Sequence, residues 1–135
     1  MTCRSSLILA VLGCCAMPIV SMAQQPVSEG NFQVQTTGDL VTLCASQPSD
    51  RLYTAAQNFC QGYAVGVYRT LEAEQSGSAA RLFCPPAQMP TRNEAIANFV
   101  RWAQASPTRL AMTPPDGIAS YLAERLPGRA ERAAG

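Results

Sequence analysis

The sequence predicts an all-α fold, a small irregular (orthogonal) four-helix domain stabilised by a disulfide. Three observations predict it. Apolar residues recur at spacings of three and four, not in alternation. Helix start and stop residues bracket those runs. Three cysteines, Cys44, Cys60 and Cys84, sit among the helical patterning behind an export-type leader. At 135 residues the chain is one domain long.

Residues 1–23 read as a signal peptide. Arg4 opens the segment, Leu7 to Val20 form its apolar core, and Ser21-Met22-Ala23 supplies small residues before a cleavage point. Gly13 and Pro18 interrupt the core, so it is no membrane span. A lipoprotein alternative exists, because Val11-Leu12-Gly13-Cys14 resembles a lipidation box with Cys14 as the acceptor. Either route leads to export, and a periplasmic location is the expectation.

Residues 24–36 are polar and read as a flexible lead-in, with a short extended piece at Phe32 to Val34. The domain proper spans 37–127. Thr37 reads as an N-cap with Asp39 in the first turn, where the helix dipole favours an anion. This first helix runs from about Gly38 to Ala45 with Leu40, Leu43 and Cys44 inward, and Gln47-Pro48-Ser49 stops it. Ser49 or Asp50 starts the longest helix, which extends to about Gln75. Its stripe includes Ala56, Phe59, Cys60, Tyr63, Val67 and Leu71. Gly62 and Gly66 lie on an adjoining face. Each costs about 1 kcal/mol relative to alanine in a helix interior, so the pair predicts close helix packing by another backbone.

Ser76 to Arg81 reads as a loop, and Leu82 to Pro86 as a rigid extended segment, because proline fixes φ and biases its predecessor away from helix. Thr91-Arg92-Asn93-Glu94 is a capping box. The helix behind it reaches about Ala105 and buries Ile96, Phe99, Val100 and Ala103, with Trp102 toward the side. Thr113-Pro114-Pro115-Asp116 opens the last helix, whose stripe is Ile118, Tyr121, Leu122 and Leu126. Pro127-Gly128 ends it, and residues 128–135 read as a disordered tail.

Composition excludes much chemistry. There is no histidine, hence no Ser-His-Asp triad, no Cys-His pair and no histidine metal site. No CxxC spacing and no glycine-rich phosphate loop occur, so no catalytic residue, cofactor or metal is assigned. Beyond residue 23, nine arginines face nine acidic residues, and lysine is absent. Balanced charge without a basic block argues against nucleic acid.

The three cysteines leave one unpaired. A tight turn at 47–49 sets Cys44 opposite about Leu52, with Cys60 about 12 Å further along, beyond the roughly 7 Å Cα limit of a disulfide. The segment from Ser76 spans back about 30 Å, enough to bring Cys84 to Cys60. Cys60–Cys84 is therefore the expected pair, closing a loop worth about 3 kcal/mol. Cys44 is left unpaired. A strongly tilted first helix restores Cys44–Cys60, so that alternative stays open. For partner contact, Arg81, Trp102 and Arg109 are the candidates, since Arg and Trp are enriched at binding hot spots and the first and last lie on loops.

Gly38-Asp39-Leu40, Leu43-Cys44, Cys60-x-x-Tyr63-x-x-Gly66 and Cys84-Pro85 together resemble the Rap/Tai family of immunity proteins over about residues 37–127. The resemblance implies a small periplasmic helical protein. It would protect its bacterium by binding a type VI secretion amidase effector that cuts peptidoglycan cross-links, with a possible homodimer as the working form. Family members often close the last helix with a Phe-Pro-Cys-like motif. Here Leu126-Pro127-Gly128 stands instead, which implies that one family disulfide is missing. The alternative is a small periplasmic helical chaperone of the HdeA type, weakened by a charged fraction of only 14%.

Overall fold

The structure is a computed structural model and describes residues 25–128. The expected signal peptide, Cys14 and the tail beyond Gly128 lie outside the described residues. Five α-helices follow one 3-10 helix, Glu29–Gln33. They are α1 (Thr37–Cys44), α2 (Tyr53–Glu74), α3 (Arg92–Gln104), α4 (Pro107–Ala111) and α5 (Pro114–Arg125). No strand occurs among the described residues, only an isolated antiparallel bridge between Phe83 and Pro127. The all-α class stands, with α4 an additional short helix where the sequence suggested a plain connection.

The short helix α1 is the centre of the molecule. It touches the 3-10 helix and all four other helices, and five of its eight residues are buried: Thr37, Leu40, Val41, Leu43 and Cys44. Its start is set by Thr36, one residue before the expected cap. The Thr36 hydroxyl accepts from the Asp39 N–H at 3.2 Å, and the Asp39 carboxylate accepts from the Thr36 N–H at 3.0 Å. Asp39 at the third helical position requires its partner three residues back. Thr37 is thereby turned inward. Its hydroxyl donates to the Thr113 carbonyl at 3.1 Å, tying α1 to the start of α5. The α5 residue Gly117 packs directly on it, and a Cβ there would collide with the Thr37 hydroxyl.

The disulfide differs from expectation. Cys44 is joined to Cys60, with Cα atoms 5.2 Å apart, and Cys84 is free. Two local causes are visible. The turn between the helices is wider than foreseen, because the Asp50 carboxylate accepts from the Gln47 N–H at 2.7 Å instead of capping a helix; α2 begins only at Tyr53. In addition, Gln57 from α2 donates to the Cys44 carbonyl at 3.1 Å and to the Ser46 hydroxyl at 3.0 Å. A carbonyl orphaned at the end of α1 is thus satisfied from the second turn of α2, which draws Cys44 down to Cys60. Cys84 is engaged elsewhere, its N–H donating to the Leu126 carbonyl at 2.9 Å.

Two further expectations change. Residues 29–33 are a 3-10 helix, not an extended piece, and Phe32 packs edge-on against Phe59 at 5.5 Å between centroids. Gly62 and Gly66 meet no backbone of this chain: both are exposed, and a Cβ on either would find open space. Within α2 only Ala56 and Cys60 are buried. The outer half of the longest helix is left with apolar flanks on both sides.

Candidate binding groove

The inner flank of α2, together with α3, α5 and the segment 86–90, walls a half-open groove of about 790 Å³. Its floor is an aromatic triad that joins α3 to α5. Phe99 lies 6.1 Å from Trp102 and 5.6 Å from Tyr121, and Trp102 lies 5.7 Å from Tyr121, centroid to centroid. These helices face each other because the capping box at Thr91 and Glu94 starts α3 where the sequence expects. That register places Phe99, Trp102 and Ala103 inward. Tyr68 of α2 contributes one wall, and Pro86, Met89 and Pro90 the opposite one.

Trp102 is only 2% exposed, so it is a structural anchor more than a contact residue. Its indole Nε1–H donates to Glu124 Oε2 at 2.7 Å, which meets the need of a buried donor. Arg109, carried on α4, closes the arrangement. It donates to the same Glu124 oxygen at 3.0 Å and to the Trp102 carbonyl at 2.9 Å. Its guanidinium carbon sits 4.4 Å from the centre of the Trp102 ring, a cation–π contact. Two of the three contact candidates, Trp102 and Arg109, are therefore brought together at one end of the groove. Arg81 is not among its lining residues. It lies on the exposed loop before Phe83, with its carbonyl pressed against Gly128.

The rim is arginine. Arg69, Arg92, Arg101, Arg109 and Arg125 line the groove, and no Asp or Glu does. Arg69 pairs with Glu72, and Arg109 with Glu124. Arg92 and Arg101 find only amide partners, the Gln61 and Asn98 side-chain oxygens. Among the described residues Arg125 has no ion pair. Burial raises the pKa of Tyr121 above that of an ordinary phenol, an effect partly offset by the charges of Arg125, on the same helix, and Arg101 on α3. Sequence reading missed Arg69, Arg92, Arg101 and Arg125. They are spread over three helices, and only the tertiary arrangement gathers them.

The titratable groups that line the groove are five arginines and two tyrosines. The phenols of Tyr68 and Tyr121 have pKa values pushed up by burial, away from the range of a base at neutral pH. Among the described residues no group of three or more His, Cys, Asp or Glu could hold a metal ion. The outer flank of α2 is a shallower face lined by Phe59, Tyr63, Val67 and the exposed Gly62 and Gly66.

A helical frame centred on α1 is cross-linked to α2 and presents an apolar groove lined with arginines. The family model of Rap1a immunity proteins matches residues 36–128, from the Thr36 cap to the end of α5 and the turn behind it. The chain belongs to the Rap1a immunity protein family. No curated protein and no solved structure shows a significant match. The match to the Rap1a family covers all five α-helices and leaves out the 3-10 helix Glu29–Gln33. No helix among the described residues is long and apolar enough to cross a membrane.

Proposed function

We propose that this Rap1a-family chain is a periplasmic immunity protein that binds and inhibits a type VI secretion peptidoglycan amidase, with no catalysis of its own. The observation that carries this reading is the family match across all five α-helices, residues 36–128. Support comes from the disulfide, which suits an oxidising compartment, and from a groove that offers recognition chemistry without a nucleophile–base pair. Inhibition by occupation needs only a rigid surface that seats on the enzyme. Helices fixed by a central α1 and a cross-link supply one without large ordering costs on binding.

The test is direct. The purified mature chain, mixed with the amidase encoded beside its gene, should suppress cleavage of purified peptidoglycan at a stoichiometric ratio. Targeting that amidase to the periplasm should lyse cells lacking the chain and spare cells producing it. Full amidase activity in the presence of excess chain would end this reading. The chaperone alternative finds no support in the charge distribution. An acid-triggered chaperone needs many ionisable groups whose protonation opens the fold, and charged residues make up only 14% of this chain, with no histidine or lysine.

A further inference from the structure

We propose that the groove between α2, α3 and α5 is the docking site for an acidic, extended segment of the partner protein that carries a large apolar side chain between its carboxylates. The proposal deepens the effector-binding reading and rests on it for the partner's identity. The chemistry of the occupant is argued from the groove alone.

Charge is the first argument. Of the arginines in the described residues, only Arg51 and Arg81 lie outside the groove lining. The described domain is not basic as a whole: its carboxylates outnumber its arginines by eight to seven. The positive rim is therefore a local concentration, set in a wall that contains no carboxylate. Glu72 and Glu124 neutralise Arg69 and Arg109 from outside it. Arg92, Arg101 and Arg125 are left exposed, with no ion pair among the described residues. Guanidinium groups bind carboxylates with two parallel hydrogen bonds, and they shed water more readily than ammonium groups.

Shape is the second argument. The space of about 790 Å³ falls within the usual range of ligand clefts, about 300–1,000 Å³. Its floor is apolar and fixed by the aromatic triad, while one wall holds Met89, an exposed and adaptable side chain. The unpaired arginines come from α3 (Arg92 and Arg101) and α5 (Arg125) and border that apolar floor. An extended strand sends alternate side chains to one face. Carboxylates on either side of an aromatic residue, all three on one strand face, match a cationic rim around an apolar floor.

The probe is a labelled peptide, Asp-Ala-Phe-Ala-Asp, titrated onto the full mature chain with its disulfide intact. Fluorescence anisotropy at low salt is the readout. The amide control Asn-Ala-Phe-Ala-Asn should bind about tenfold more weakly or worse, and added salt should weaken the acidic peptide only. The triple variant R92E/R101E/R125E should lose acidic-peptide binding, while R51E should keep it. All four residues are exposed, and circular dichroism melts confirm that the variants are folded. Equal binding of acidic and amide peptides overturns the proposal, as does an unchanged triple variant. Absence of acidic-peptide binding up to about 1 mM, a free energy of only about 4 kcal/mol, also overturns it. So does a chain that self-associates through this groove and excludes the peptide. The amidase separates the two levels. If it is bound and inhibited equally by the native chain and the triple variant, the groove proposal fails and the immunity reading stands. If the peptide binds but no amidase does, the immunity reading fails and the groove chemistry stands.

Discussion

Replacing Cys44 and Cys60 together by alanine measures what the cross-link contributes and which cysteines form it. The bond joins residues 16 apart in sequence. In the chain-entropy treatment a loop of that length restricts the unfolded chain by about 3 kcal/mol. For a domain of about 100 residues this corresponds to a fall in melting temperature of roughly 10–20 °C. The native contacts change little, because the Gln57 bonds to the Cys44 carbonyl and Ser46 do not involve sulfur. The helical signal before melting should therefore be native. The assay is a far-ultraviolet circular dichroism melt of the double variant beside Cys84→Ser, which should melt like the native chain. Non-reducing peptide mapping by mass spectrometry assigns the bond. A double variant as stable as the native chain would refute the reasoning, as would a mapped Cys60–Cys84 peptide.

Four further outcomes are expected. Glu124→Ala strips the buried indole N–H of Trp102 of its acceptor, costing about 1–3 kcal/mol; because Trp102 is the sole tryptophan, its emission should shift to the red with the loss of stability. Asp39 has a lowered pKa: burial raises it, but bonds from the Thr36 N–H and hydroxyl and from Asn31 outweigh that. Its contribution is thus complete above about pH 4 and lost as pH falls through the depressed folded value; Asp39→Asn should cost up to about 1 kcal/mol at neutral pH and flatten the acid limb of a stability–pH curve. Gly117→Ala drives a methyl into the buried Thr37 side chain and should destabilise by about 1–3 kcal/mol in denaturant titrations. Gly62→Ala with Gly66→Ala fills open space and should stabilise the isolated chain by up to about 2 kcal/mol; a simultaneous loss of partner binding or self-association would show that another molecule packs on that stripe.

What could be read from the sequence was whatever local chemistry decides. The Thr91–Glu94 box fixes the start of α3 by itself, and the Thr113-Pro114 start of α5 needs no distant partner, so both helices fall where the residues place them. The errors share one cause, which is that a local signal had a competing use elsewhere in the fold. Asp50 has the look of a cap and serves the turn at Gln47. Thr37 also looks like a cap, yet its hydroxyl is spent on the Thr113 carbonyl 76 residues away. Cys60 was assigned by chain reach, whereas Gln57, three residues earlier, decides its partner by gripping the end of α1. The groove was invisible for the same reason. Its arginines are spread over α2, α3, α4 and α5, and no spacing within one helix reveals that they line one groove.

Cys84 has no disulfide partner among the described residues, yet its segment is held in place. The segment that carries Cys84 still meets the end of α5, through the Phe83–Pro127 bridge and the bond from the Cys84 N–H to the Leu126 carbonyl. Gln75 reinforces it by exchanging two hydrogen bonds with the Phe83 backbone, at 2.9 and 3.2 Å, and Phe83 is fully buried against Tyr68. Backbone pairing and one aromatic side chain thus hold together what a second cross-link could hold. Gly128 follows that bridge so closely that a Cβ would overlap the Arg81 carbonyl. No side chain fits there without moving the loop, so the glycine and the backbone pairing form one solution. This junction anchors one end of the segment 82–90, and that segment is the groove wall bearing Met89. The firmness of the wall that faces the arginine rim therefore rests on hydrogen bonds that a reductant leaves untouched.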